Sequence, residues 1–262
     1  MVDKKIGKTE KEFEIKDVTT CEATQQMLLK ARLDGVETHF DRAVNMKACP
    51  IGADSACCKN CFMGPCRMNP KDPYAKVGVC GAGIDTIQAR NFGRMVATGS
   101  ACHNDHGMAM LDIFRDVVQG KIKDYRIKDV GKLESISKEI GIETEGRSVE
   151  DIAMDLYHEL EKTYTQVEGE IPFAKRVPPK TLEMWRKHGI VPRGAMREIM
   201  EMLSRTHIGM DQDYTNLIKQ ISRTALVDGW GGSMVATEIS DILFGTPSPV
   251  SVEVNMGVLK ED

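Results

Sequence analysis

Six of the eight cysteines fall in one stretch, in the order Cys49-x7-Cys57-Cys58-x2-Cys61-x4-Cys66-x13-Cys80. The N-terminus, MVDKKIGKTEKEFEIKDV, lacks the apolar core of a secretory signal, so the expected location is the cytoplasm. Disulfides are rare in a reducing compartment, and thiols packed this closely there point to metal. Cys58, Cys61, Cys66 and Cys80 form the core of the pattern. Four thiolates suit a [4Fe–4S] cluster or a zinc ion. Structural zinc sites usually pair two C-x2-C knuckles, whereas here one knuckle is followed by single cysteines at growing intervals. The iron–sulfur reading is therefore preferred, with a zinc-stabilised helical binding module as the alternative. Gly64 and Pro65 fit a backbone that turns tightly around inorganic sulfide and offers its amides to it.

Cys49 and Cys57 cannot complete a four-thiolate site. Three roles stay open for them: free core thiols, a redox pair, or half of a site completed by a second copy across a two-fold axis, where each ligand is supplied twice. Neighbours in an extended segment point different ways, so Cys57 and Cys58 are expected to serve different centres. His103 and His106, three residues apart, share a helix face and read equally as a polar patch or as satisfied core histidines. The other four histidines stand alone. Cys21 and Cys102 match no ligand spacing and read as ordinary thiols, the usual small buried hydrophobes. Gly81 and Gly83 follow no strand and lack a third glycine, which excludes a dinucleotide-binding turn.

The elements that must position these residues are helical. Thr20 to Val36 has a partly apolar face. Met46 to Ala82 holds eight Gly and Pro residues, shows no period, and reads as a loop that something other than packing must order. Gly83 to Gly120 reads as helix, broken near Gly99 or Gly107. Lys132–Ile140, Val149–Tyr164 behind a Ser148/Asp151 capping box, Thr181–His188, Gly194–Thr206, Tyr214–Asp228 and Ser233–Leu243 follow. Pro172, Pro178 and Pro179 mark a connection, and no alternating strand is evident. The fold class is mainly α, a helical domain with a cysteine-rich loop near its N-terminus. The expected division is a charged tail over 1–20, a helical domain over 21–243 that contains the cysteine segment 46–82, and a linker over 244–262.

The 262 residues carry 35 Lys and Arg against 39 Asp and Glu, a net charge of −4. That near-balance excludes a nucleic-acid binder. No apolar run is long enough to span a membrane. Sixteen methionines and only 5% aromatics suggest a soft, helix-rich core.

CPIGADSACCKNCFMGPCR (49–67), GVCGAG (78–83), IQARNFGRMVATGSACHNDHG and DILFGTPSPV…NMGVL together resemble the N-terminal region of the anaerobic nickel-containing carbon monoxide dehydrogenases. The resemblance runs over nearly the whole chain. It implies that Cys58, Cys61, Cys66 and Cys80 hold the [4Fe–4S] B-cluster. It implies that Cys49 and Cys57 hold half of the D-cluster, a [4Fe–4S] or [2Fe–2S] centre shared by two subunits, so the chain should be a homodimer. The expected function is the electron-relay and dimerisation part of an enzyme that turns CO and water into CO2, two protons and two electrons, with a ferredoxin-type acceptor and, in some members, an acetyl-CoA synthase partner.

The nickel–iron–sulfur C-cluster of that family is held in two Rossmann-like α/β domains that this sequence lacks, so the chain is expected to be a piece of a longer enzyme and to lack CO oxidation by itself. A free-standing iron–sulfur carrier is the alternative. The family carries four histidines, three apart, as a proton relay. His103 and His106 match the first two, while Ala109 and Asp112 stand at the next two positions, leaving the relay half present.

Overall fold

The computed structural model describes residues 11–69 and 71–248. The start of the expected tail and most of the expected linker, residues 249–262, lie outside the described residues. The chain divides into two units, one up to Asp54 and one from Ser55 onward.

The first unit holds four short helices: α1 (Ile15–Val18), α2 (Glu22–Leu33), α3 (His39–Asn45) and α4 (Pro50–Ala53). Phe13 is its buried aromatic, with the Arg32 guanidinium 4.9 Å above its ring and Phe40 at 5.4 Å. Thr38 opens α3 with a capping box, its backbone N–H donating to Asp41 at 2.7 Å. Cys21 precedes α2, and Cys49 precedes α4, which begins at Pro50.

The second unit is built around α5 (Ile84–Val118), a single 35-residue helix. Its buried stripe is Ile84, Ile87, Arg90, Gly93, Ala97, Ser100, Asn104, Gly107, Leu111 and Phe114, at the three- and four-residue spacing of one helix face. Packed directly on it are α7 (Val149–Thr165), α9 (Ala195–Arg205), α10 (Tyr214–Val227) and α11 (Met234–Phe244), while α6 (Val130–Ile140) packs on α7 and α11, and α8 (Pro179–His188) adds Leu182 to the same core. A 3-10 turn, Pro172–Arg176, precedes α8, and a wide π-helical turn, Asp228–Ser233, joins α10 to α11. The Ser148 hydroxyl caps α7 by accepting from the Asp151 amide, and the Asp213 carboxylate caps α10 by accepting from Thr215. The main core gathers Leu111 and Phe114 with Leu133, Ile152, Leu156, Leu160, Val235 and Ile239, all nearly or fully buried. A second cluster of Ala89, Ala97, Met202, Leu217 and Ile221 lies under the N-terminal half of α5.

The mainly α class holds, and three local expectations are corrected. The long helix is unbroken. At Gly107 the missing side chain serves a close approach, because a Cβ there would sit 2.6 Å from the Gly232 carbonyl and against the Tyr164 hydroxyl. A short sheet does exist: β1 (Cys57–Cys58) pairs antiparallel with β2 (Cys66–Arg67), too short for any alternation to show in sequence. Finally, α8 starts at Pro179, since proline is tolerated in a first helical turn. Among the described residues no helix is long and apolar enough to cross a membrane.

Candidate metal centre

The β1–β2 hairpin decides which cysteines can meet. Its register sets Cys58 opposite Cys66 and Cys57 opposite Arg67. Side chains alternate across a strand, so Cys58 and Cys66 share one face and Cys57 takes the other. Gly64 lies in the intervening loop, where a Cβ would come within 2.9 Å of the Cys58 carbonyl, so only glycine lets the loop fold back this tightly. Cys80 arrives from a second tight turn. The Gly78 amide donates to the Ala82 carbonyl at 2.8 Å, and Gly81 adopts φ +89°, a left-handed conformation that glycine takes freely. Three residues after Gly81, α5 begins.

The outcome is one pocket lined by Cys58, Cys61, Cys66 and Cys80 together with Ile87, Arg90 and Thr206. Cys58 is buried and the other three are partly so. Cys57 and Cys49 are not among the pocket's residues. Burial raises the Cys58 thiol above its usual range, against the pull of the Asn60 amide and the Arg90 charge. At Cys80 burial also acts upward. The Ala82 amide, the Arg90 guanidinium and the Gln212 amide outweigh it, and that thiol is lowered.

Among the described residues, no three His, Cys, Asp or Glu side chains close on one point as the ligands of a single ion would. Four thiols spread around a pocket, with an amide (Val79 to Cys66 Sγ, 3.5 Å) and a guanidinium (Arg90 Nη1 to Cys80 Sγ, 3.5 Å) aimed at sulfur, are a donor set that fits a polynuclear iron–sulfur group.

Two residues of α5 fasten the segment. Asn91 donates to the Cys57 carbonyl at 3.0 Å and to the Ser55 carbonyl at 3.2 Å. Arg90, 1% exposed, donates from Nη2 to the Asp211 carbonyl. From the loop before α10, Gln212 donates to the Cys80 carbonyl at 2.8 Å and accepts from the Thr86 hydroxyl at 2.7 Å. Behind this loop lies an ion network. Arg205 bonds both Asp211 (2.6 Å) and Glu201 (2.7 Å), and Arg193 bridges Glu201 (2.7 Å) and the fully buried Glu198 (2.8 Å). Burial acts against the charged forms of Glu198 and Glu201, yet the arginines hold both carboxyls below their usual range, Glu201 at about 2.

His103 and His106 lie farther along α5, on an open groove they share with Ser233, Ala236, Thr237, Ser240 and Asp241. His103 Nδ1 stands 2.7 Å from Asp228 Oδ1, and Ser233 donates to the same oxygen at 3.3 Å. Asp112, at the relay position two places on, is paired with Arg115 at 2.7 Å. Cys21, just before α2, and Cys102, within α5, are both exposed, unlike the usual buried thiol.

Sequence reasoning missed Arg90, Gln212 and Asp228. Arg90 did carry a signal, a charged residue inside the apolar stripe of a helix. Gln212 and Asp228 lie more than 120 residues from their partners and carried none.

The Prismane/CO dehydrogenase family matches residues 56–262. Carbon monoxide dehydrogenase 1 of Methanosarcina mazei is 46% identical over 241 residues, 92% of this chain and 38% of the relative. The carbon monoxide dehydrogenase/acetyl-CoA synthase subunit beta of Moorella thermoacetica is 39% identical over 251 residues, 94% of this chain and 37% of the relative. Among solved structures, the as-isolated Ni-free carbon monoxide dehydrogenase from Thermococcus sp. AM4 superposes with a TM-score of 0.83 at 41% identity, covering 97% of this chain and 40% of that one. The chain thus spans under two fifths of the length of these curated relatives.

Proposed function

The chain belongs to the Prismane/CO dehydrogenase family, and from that premise we propose that it is the electron-relay and dimerisation part of an anaerobic carbon monoxide dehydrogenase. In the whole enzyme CO and water become CO2, two protons and two electrons, delivered in the cytoplasm to a ferredoxin-type acceptor. An acetyl-CoA synthase partner is in keeping with the Moorella relative's name. The observation that carries the reading is the gathering of Cys58, Cys61, Cys66 and Cys80 around one pocket. These four residues would hold the B-cluster, and Cys49 and Cys57 would supply half of a D-cluster completed by a second copy of the chain. A bound [4Fe–4S] group supplies reversible one-electron transfer.

The chain's own residues do the rest. The hairpin and the Gly78–Ala82 turn present the thiols, Ile87 and Ala82 help keep water from them, and the Val79 and Ala82 amides donate to sulfur. His103 and His106 would pass protons along the groove, with Asp228 fixing the His103 ring through Nδ1 and leaving Nε2 to exchange a proton. No cysteine follows Cys102 in these 262 residues, and we place the nickel-bearing C-cluster outside them, so that this chain alone does not oxidise CO.

Anaerobic iron, sulfide and zinc analysis with the visible spectrum and the oligomeric mass tests this reading. The expected result is a brown dimer with about six irons and six sulfides per chain, counting a shared four-iron centre once per dimer. A colourless chain holding one zinc would overturn it in favour of a structural module.

A further inference from the structure

Arg90 is the largest fully buried side chain of the described residues, and it is a cation. Burying a charge costs several kcal/mol unless it is paired. Nη2 donates to the Asp211 carbonyl, Nη1 points at Cys80 Sγ at 3.5 Å, and Nε has no partner among the described residues. The carboxylate of that same Asp211 is taken by Arg205 at 2.6 Å. Neither of Arg90's partners carries negative charge unless Cys80 is a thiolate. Arg90 cannot lose its proton to escape the penalty. Its position is also fixed from both sides, by the α5 backbone and by the loop that Gln212 ties to Cys80.

A [4Fe–4S] group on four thiolates is anionic and gains one further negative charge when reduced. A buried cation beside one thiolate stabilises the reduced form more than the oxidised form, and low-dielectric surroundings magnify the difference. The Val79 amide at Cys66 acts in the same sense but is neutral and lies at an exposed residue.

We infer that Arg90 sets the reduction potential of the group held by Cys58, Cys61, Cys66 and Cys80, by holding a buried positive charge against the Cys80 thiolate. The inference rests on the relay reading of those four cysteines. It assigns Arg90 a tuning role on the cluster, beyond fastening the segment through Asp211.

The test is an anaerobic redox titration of the full chain, following the paramagnetic signal of the dithionite-reduced protein that Cys61→Ala abolishes. Arg90→Gln keeps a donor for Asp211 and removes the charge. It should shift the reduction equilibrium at least tenfold toward the oxidised form, which is about 59 mV for one electron. Arg90→Lys keeps the charge and should stay within about threefold of the parent, a shift well under the tenfold unit. If Arg90→Gln fails to take up iron while Arg90→Lys loads fully, the charge serves assembly of the group rather than its potential, and the inference falls. Equal potentials in parent, Gln and Lys forms at equal iron content would overturn it, as would failure of both variants to load, which would make Arg90 a structural peg. Absence of iron and sulfide from the parent chain would instead sink the relay reading beneath it.

Discussion

The N-terminal end of α5 meets four thiols in a closed pocket. Thirteen residues beyond Arg90, or about 20 Å along the axis, the same helix carries His103 and His106 on an open groove. The cysteine end is braced by ions: Glu198, Arg193, Glu201, Arg205 and Asp211 form a chain of pairs that ends on the carbonyl gripped by Arg90. The histidine end is braced by close backbone contact, Gly107 of α5 lying against Gly232 of the π-turn that presents Asp228. The difference is what the proposed electron and proton roles would each require. An electron carrier is tuned by burial, fixed charge and hydrogen bonds to sulfur. A proton path needs exchangeable groups in reach of water, which a groove provides.

The sharpest way to break the contrast is to remove a thiol. Cys61→Ala should eliminate the pocket's group, about four irons per chain, and Cys49→Ala should remove only the shared centre, about two irons per chain, with weakened dimerisation. Iron analysis and sizing of both variants check this, and equal losses would contradict two separate centres.

The next effect bears on the ionic brace. Glu198 is fully buried between Arg193 and Gln220, so Glu198→Leu takes one of two carboxylate partners from Arg193 and leaves the buried Gln220 amide without the Glu198 carboxylate. The expected cost is about 2–3 kcal/mol in urea unfolding, with partial loss of iron as the Asp211 loop loosens. A variant with unchanged unfolding would show the network to be ornamental.

A smaller, graded effect is the response to acid. The Arg193 and Arg205 guanidinium groups hold the Glu201 carboxyl at about 2 in the folded state, below its usual value of 4.5. A depressed folded value means the stabilisation is fully present above pH 4.5 and is lost as the pH falls from there toward 2. With solvent screening allowed for, it amounts to about 2 kcal/mol. Urea midpoints of parent and Glu201→Gln at pH 6 and pH 4 check it: the difference between them should shrink on acidification.

How much of this was legible follows the range of each interaction. The four thiols share one loop, so spacing along 58–80 carried them, and the family resemblance added roles that spacing could not. The capping of α7 by Ser148 is local and was read correctly. Arg90 was readable in principle, since a charge in an apolar stripe needs a partner. What it answers to, Asp211, is 121 residues away and unmarked by any pattern. The spacing singled out His103, but only the resemblance gave it a role, and its partner Asp228 sits 125 residues on, in a turn whose glycines look like a simple break.

Gly99 and Gly107 make the same point within one helix. Both were expected break points, and both lie inside α5. A Cβ at Gly99 would meet nothing within 4 Å, so Gly99→Ala should gain about 0.5–1 kcal/mol from reduced backbone freedom alone. A Cβ at Gly107 would press on the Tyr164 hydroxyl and the Gly232 backbone, and backbone cannot rotate away as a flexible side chain can. Overpacking should outweigh the same helical gain, leaving a net loss of about 1–2 kcal/mol. Thermal melts of the two alanine variants should therefore move in opposite directions. The consequence reaches the histidines, because displacement of Gly232 shifts the turn that holds Asp228 against His103. Gly107→Ala should loosen that pair, visible in the His103 ring NMR signals, while the cluster's potential and iron content stay as in the parent. If Gly107→Ala instead cost iron, the two ends of α5 would be one mechanical unit, and the division between a buried electron end and a wet proton end would fail.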